Sequence, residues 1–86
     1  MDLDDIKELR RSILQMTLDH VDGREQPPWL AATFLAKGGI ASTEGSRRIV
    51  NREIRYLSET KKINAKNAGE VWVVTGITAL GRDDLE

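Results

Sequence analysis

Apolar side chains at Leu3, Ile6, Leu9, Ile13 and Met16 recur at three- and four-residue spacing, and Leu14, Leu18 and Val21 widen the stripe. That period predicts an amphipathic helix over residues 3–21. Asp2, Asp4 and Asp5 crowd the end where a helix dipole favours negative charge, and Asp22-Gly23 stops it. Pro27-Pro28 suits the opening of a second helix, since proline at the first helical position forfeits no needed hydrogen bond, and Trp29 to Lys37 reads as that helix. Gly38-Gly39 ends it in a tight turn, after which Ile40 is expected to anchor between the two helices.

Ser42 and Thr43 have the composition of helix caps, with Thr43 and Ser46 making half a capping box, and a third helix is predicted from Glu44 to Thr60. The pattern then changes period. Residues 61–66 and the β-branched stretch 70–75 read as two strands joined through Asn67-Ala68-Gly69, a hairpin. Thr78 caps a last helical turn running to Leu85. The fold class is α+β, mainly α, in one domain divided as helix 1 (1–22), a helix-turn-helix (27–60), a hairpin (61–77) and a short helical tail (78–86).

The chain has 86 residues, 40% hydrophobic and 31% charged, which suits one folded domain and is too apolar for disorder. With no cysteine and one histidine, His20, thiolate and zinc chemistry are excluded and no cofactor is expected. No apolar run approaches the ~20 residues of a membrane span, and the acidic start is unlike a signal peptide, so the expected location is the cytoplasm. A phosphate-loop reading of Gly38-Gly39 with Gly45-Ser46 fails for want of the Gly-Lys-Ser/Thr ending. His20 beside Asp19 and Asp22 lacks a nucleophile and reads as a helix-end histidine, so no enzymatic activity and no small-molecule ligand are expected.

The net charge of −1 argues against a nucleic-acid binder until it is divided. Residues 1–41 carry −2, residues 42–66 carry +4 and residues 67–86 carry −3. On a helical wheel of 100° per residue, Arg48, Arg52, Arg55 and Asn51 share one face of the third helix, opposite Val50, Ile54 and Leu57. Arginine can grip phosphate or a guanine edge with paired donors, and asparagine can pair with adenine. The alternative for this face alone is an ordinary solvated surface. Glu53 falls within the apolar arc and therefore needs a cationic partner or shallow burial. Trp29 and Trp72 read as packing residues, and of the alternating pairs Val71/Val73 and Trp72/Val74 one is expected to be exposed or buried by a partner.

A helix, a glycine turn, a capped basic helix and a hairpin together resemble the winged helix-turn-helix family of DNA-binding domains. The likeness lies in Gly38-Gly39-Ile40-Ala41-Ser42 through Arg55-Tyr56-Leu57, similar to the turn and recognition helix. It lies also in Ile77-Thr78-Ala79-Leu80-Gly81-Arg82-Asp83-Asp84-Leu85, similar to the segment that follows the wing in bacterial regulators of the MarR and PadR types. It covers roughly residues 26–85. The resemblance implies a recognition helix at Thr43–Glu59, a wing at Asn64–Glu70 with Lys66 and Asn67 at its tip, and binding of double-stranded DNA by a small transcriptional regulator, bacterial or phage-like in style. Lys62 departs from the pattern, standing where the family often has glycine, and the wing is short with acidic Glu70 beside it.

The expected DNA-binding residues are Thr43, Ser46, Arg47, Arg48, Asn51, Arg52, Arg55, Lys62, Lys66 and Asn67. Arg48, Asn51, Arg52 and Arg55 are assigned to the groove, and Thr43, Ser46, Arg47 and Lys66 to phosphates. With no effector domain in view, such a regulator would act by occupying DNA, dimerising or recruiting another protein. A symmetric dimer through helix 1 or the hairpin is slightly favoured over a monomer and would offer two recognition helices to half-sites one DNA turn apart. The alternative function is a winged-helix protein–protein interaction module within a larger assembly, docking through helix 1 or Val71 and Val73, without DNA binding.

Overall fold

The computed structural model of the chain describes residues 3–22, 29–69 and 71–86. The acidic start at Asp2 and the side chain of Asp4, the stop at Gly23, the opening at Pro27-Pro28 and the flank at Glu70 lie outside the described residues. The described residues form an α+β, mainly helical fold of four α-helices and one antiparallel two-stranded hairpin.

Helix α1 spans Leu3–Met16 and continues through a π-helical turn, Thr17–Val21. The widening has a local cause: the fully buried Thr17 Oγ1 donates to the Ile13 carbonyl at 2.7 Å, and the Asp22 N–H reaches back five residues to the Thr17 carbonyl at 2.8 Å. Ile13, Leu14 and Val21 are buried on the face the spacing predicted.

Trp29 is not in a helix. Its N–H donates to the Val74 carbonyl at 3.1 Å and its carbonyl accepts from the Val74 N–H at 2.8 Å, an isolated antiparallel bridge. Extended backbone here lets the indole stack on His20 at a 5.4 Å centroid distance and meet Phe34 edge-on at 5.0 Å. Helix α2 therefore begins two residues later, spanning Ala31–Lys37, with the Leu30 N–H donating to Thr33 Oγ1. Its end is a Schellman cap: Ile40 N–H to the Leu35 carbonyl, Gly39 N–H to the Ala36 carbonyl, and Gly39 left-handed at φ +72°. That turn sends the chain outward, so Ile40 is 53% exposed and lines, rather than fills, a cleft between α1 and α2 together with Leu9, Ile13, Leu35 and Val50.

Helix α3, Glu44–Glu59, is capped by Thr43, whose Oγ1 accepts the Ser46 N–H at 3.1 Å. It buries Val50, Glu53, Ile54 and Leu57, the arc the wheel laid out. A second Schellman cap follows, with the Lys62 N–H on the Leu57 carbonyl, the Lys61 N–H on the Ser58 carbonyl, and Lys61 left-handed at φ +61°. This cap consumes the two residues expected to open the first strand.

Strand β1 is consequently Ile63–Ala68, paired with β2, Val71–Ile77. The register runs from Ile63 opposite Ile77 to Ala68 opposite Val71, with Thr75 left over as a bulge between Gly76 and Val74. Helix α4, Ala79–Leu85, starts from Thr78, whose Oγ1 accepts the Gly81 N–H at 3.2 Å. Arg82 of α4 pairs with Asp22 at the end of the π turn, which ties the tail to the first helical segment. One core joins Ile13 and Leu14 of α1, Phe34 and Leu35 of α2, Val50, Ile54 and Leu57 of α3, and Ile63, Val74 and Ile77 of the hairpin.

Candidate nucleic-acid interface

Helix α3 is fixed by its buried side and displays guanidinium groups on the other. Its inward anchor includes a charge. Glu53, with 3% of its side chain exposed, receives Arg10 Nε from α1 at 2.6 Å and faces Arg52 Nε at 3.5 Å, so the carboxylate has the cationic partner its place in the apolar arc required. Arg10 also lies 3.8 Å over the ring of Tyr56, joining α1 to α3 twice.

The outward cations are Arg47, Arg48, Arg52 and Arg55, all exposed. Three carry acidic partners on the same helix: Arg48 with Glu44 at 3.2 Å, Arg55 with Glu59 at 2.8 Å, and Arg52 with Glu53. The first two are open to solvent on both sides and are worth ~0.3–0.5 kcal/mol each, so a phosphate or base edge can displace them at little cost. Arg47 bends back on the loop before α3, donating to the Ser42 carbonyl at 2.6 Å and to Ser42 Oγ at 3.1 Å. Thr43 and Ser46 sit at the helix start, joined by a 3.0 Å hydroxyl–hydroxyl hydrogen bond.

Asn51 has a second task. It is half-buried, and its Oδ1 accepts the backbone N–H of Trp72 at 3.2 Å, which bonds α3 to β2 directly. A polar cleft of about 510 Å³, lined by Glu44, Arg47, Arg48, Asn51 and Val71, lies at this junction. Val71 is 39% exposed at its edge while Val74, on the other alternation, is fully buried.

The hairpin cations divide. Lys62 is half-buried in an ion pair with Asp84 of α4, which separates it from the exposed basic surface. Lys66 and Asn67 are exposed but are not at the tip: they pair with Val73 and Trp72 within the ladder, and the reversal falls beyond Ala68 at Gly69, left-handed at φ +80°. Lys61, not among the expected site residues, is exposed at the base of the hairpin. Its signal in the sequence is faint, a lysine at the residue where a helix end wants glycine.

Both tryptophans pack against the core, and His20, within the π turn next to its last residue, stacks on Trp29. Among the described residues no group of three His, Cys, Asp or Glu side chains can hold a metal ion, and no helix is long and apolar enough to cross a membrane. No protein-family model, curated protein or solved structure matches the chain.

Proposed function

We propose that the chain is a winged helix that binds double-stranded DNA and serves as a small transcriptional regulator, with α3 reading the major groove and the hairpin as its wing. The observation that carries this reading is the presentation of Arg47, Arg48, Arg52 and Arg55 along the exposed side of a helix anchored by four buried residues, next to a hairpin that exposes Lys66 and Asn67. A helix of this kind fits the ~12 Å major groove, and arginine supplies the bidentate geometry that phosphate and guanine accept. The Trp29 bridge to Val74 strengthens the architecture, because it fastens the start of α2 to the strand that carries the wing.

Asn51 acts chiefly as the joint between reader and wing, since its acceptor is already engaged with Trp72. Arg48, Arg52 and Arg55 are the readers, and Thr43, Ser46, Arg47 and Lys66 approach phosphates. Selection of duplexes from a random library, followed by affinity measurements across salt concentrations, tests the assignment. The Arg52→Ala, Arg55→Ala double variant is expected to lose roughly 30-fold or more in affinity for a selected duplex, at ~1–3 kcal/mol per base contact. Unchanged affinity would show that α3 does not enter the groove. Absence of duplex binding at low salt would favour a protein-docking module instead.

A further inference from the structure

The helices α1 and α2 both pack on α3 but not closely on each other, and the cleft between them has a volume of about 520 Å³. Its floor is the core itself: Ile13 from α1, Phe34 and Leu35 from α2, and Val50 from α3, all buried. The half-buried Leu9 and Met16 line it from α1, and Ile40 lines it from beyond the Gly39 turn. The turn holds an isoleucine in solvent at the edge of apolar ground, where a second apolar surface can cover it.

The charge around this cleft has one sign. Asp5 and Glu8 are exposed on α1 and are its charged lining groups, Ser12 and Gln15 continue the same edge, and no Lys or Arg lines it among the described residues. The α1 residues along the cleft follow at three- and four-residue spacing, so they form one straight lip. From Asp5 to Met16 that lip runs about 16 Å, three helical turns. A long apolar trough beside a helix suits a second, amphipathic helix whose anchors recur at the same spacing. The acids on its edge select Lys or Arg next to those anchors and disfavour an acidic occupant. A second copy of the chain is the poorer fit, because a two-fold contact through this cleft sets the same patch against itself and brings no cation to either pair of acids.

We propose that the cleft between α1 and α2 docks an amphipathic helix of a partner protein, with apolar anchors inserted over Ile13, Phe34 and Val50 and with Lys or Arg facing Asp5 and Glu8. Val50 reaches the floor from the side of α3 opposite its arginines, so the cleft opens away from the basic surface. Docking here neither requires nor obstructs a ligand on that surface, and the proposal stands apart from the DNA-binding reading.

Helical peptides about three to four turns long, selected from a displayed random library on the full chain, test it. The enriched peptides are expected to carry aliphatic or aromatic residues at three- and four-residue spacing and a net positive charge. Synthesised and labelled, they are expected to bind Ile40→Ser and Glu8→Lys about tenfold more weakly than wild type or worse in fluorescence anisotropy. The Glu8→Lys loss should shrink at 1 M salt, where surface charges are screened, and the Ile40→Ser loss should persist. Both positions are exposed, so the two variants are expected to melt with wild type, and Leu80→Ser, at an exposed apolar residue of α4 outside the cleft, is expected to keep wild-type peptide affinity. Enriched peptides that are acidic, or that bind Ile40→Ser and Glu8→Lys as they bind wild type, would overturn the proposal, as would a library that yields no binder. A wild-type dimer in sedimentation that Ile40→Ser dissociates would assign the cleft to a second copy instead.

Discussion

At the scale of single residues, the tightest constraint is Gly81. A Cβ placed there would fall on the Lys62 carbonyl oxygen and within 2.7 Å of Ile77 Cγ1, so α4 can lie on the start of the hairpin only where no side chain intervenes. Gly81→Ala is expected to destabilise the fold by about 3 kcal/mol, because the obstructing atom is backbone and cannot rotate away. Chemical denaturation checks this, and a midpoint equal to that of wild type would contradict the packing. Glycine in the Leu-Gly-Arg run was visible in the sequence as part of a family-like segment, but its reason was not. That reason is a carbonyl nineteen positions earlier, a contact no local pattern encodes. Thr43 and Thr78 were legible as caps because a cap depends only on the next three residues. The burial of Ile40 and the helical start at Trp29 were not legible for the opposite reason: apolarity says that a side chain seeks contact, as Trp29 does in packing on the core, and the backbone direction set by the Gly39 turn and the Val74 bridge decides where it finds it.

At the scale of elements, the amphipathic period placed α1 and α3 to within a residue or two, since each has a long stripe facing one core. The strands were placed less well, as the cap after α3 absorbed Lys61 and Lys62 and the bulge at Thr75 shifted the alternation. How α1 and α3 are joined is a matter of charge as well as apolar contact. Arg10→Ala leaves the Glu53 carboxylate buried with only the looser Arg52 contact, and a loss of about 3 kcal/mol is expected, typical of breaking a buried pair from one side. Replacing both partners, as Arg10→Met with Glu53→Met, should restore most of that stability, because nothing charged then remains to be desolvated. A thermal-denaturation cycle over wild type, Arg10→Met, Glu53→Met and the double variant measures the coupling, and a double variant less stable than Arg10→Met would show that the pair itself, rather than relief of an orphaned charge, holds the helices together.

At the scale of the whole molecule, a net charge of −1 conceals an uneven distribution, and the fold sharpens it. The +4 stretch of residues 42–66 becomes α3 and β1, while Lys62 is withdrawn into its pair with Asp84 and Arg82 into its pair with Asp22. The basic surface is therefore narrower than the sequence sum implies, and it competes with Glu44 and Glu59 on the same helix. Affinity for nonspecific duplex is expected to fall steeply with salt, with a log–log slope of about −3.6 if four phosphates are engaged. Titrations between low and physiological salt measure it, and a slope near zero would remove phosphate neutralisation from the account. The segment charge and the arginine face could be read from the sequence; which cations remain available could not, because their acidic partners, Asp84 and Asp22, lie 22 and 60 positions away.

The hydrogen bond from Trp72 to Asn51 makes the chain its own optical instrument. The molecule has two indoles, one at Trp29 stacked on His20 and bridged to the sheet, the other at Trp72 on the strand that α3 holds through Asn51. Their emission reports two different joints. With Trp29 replaced by phenylalanine, fluorescence follows the seam between α3 and the hairpin alone, and a ligand that enters the α3 surface is expected to change that light without any dye being attached.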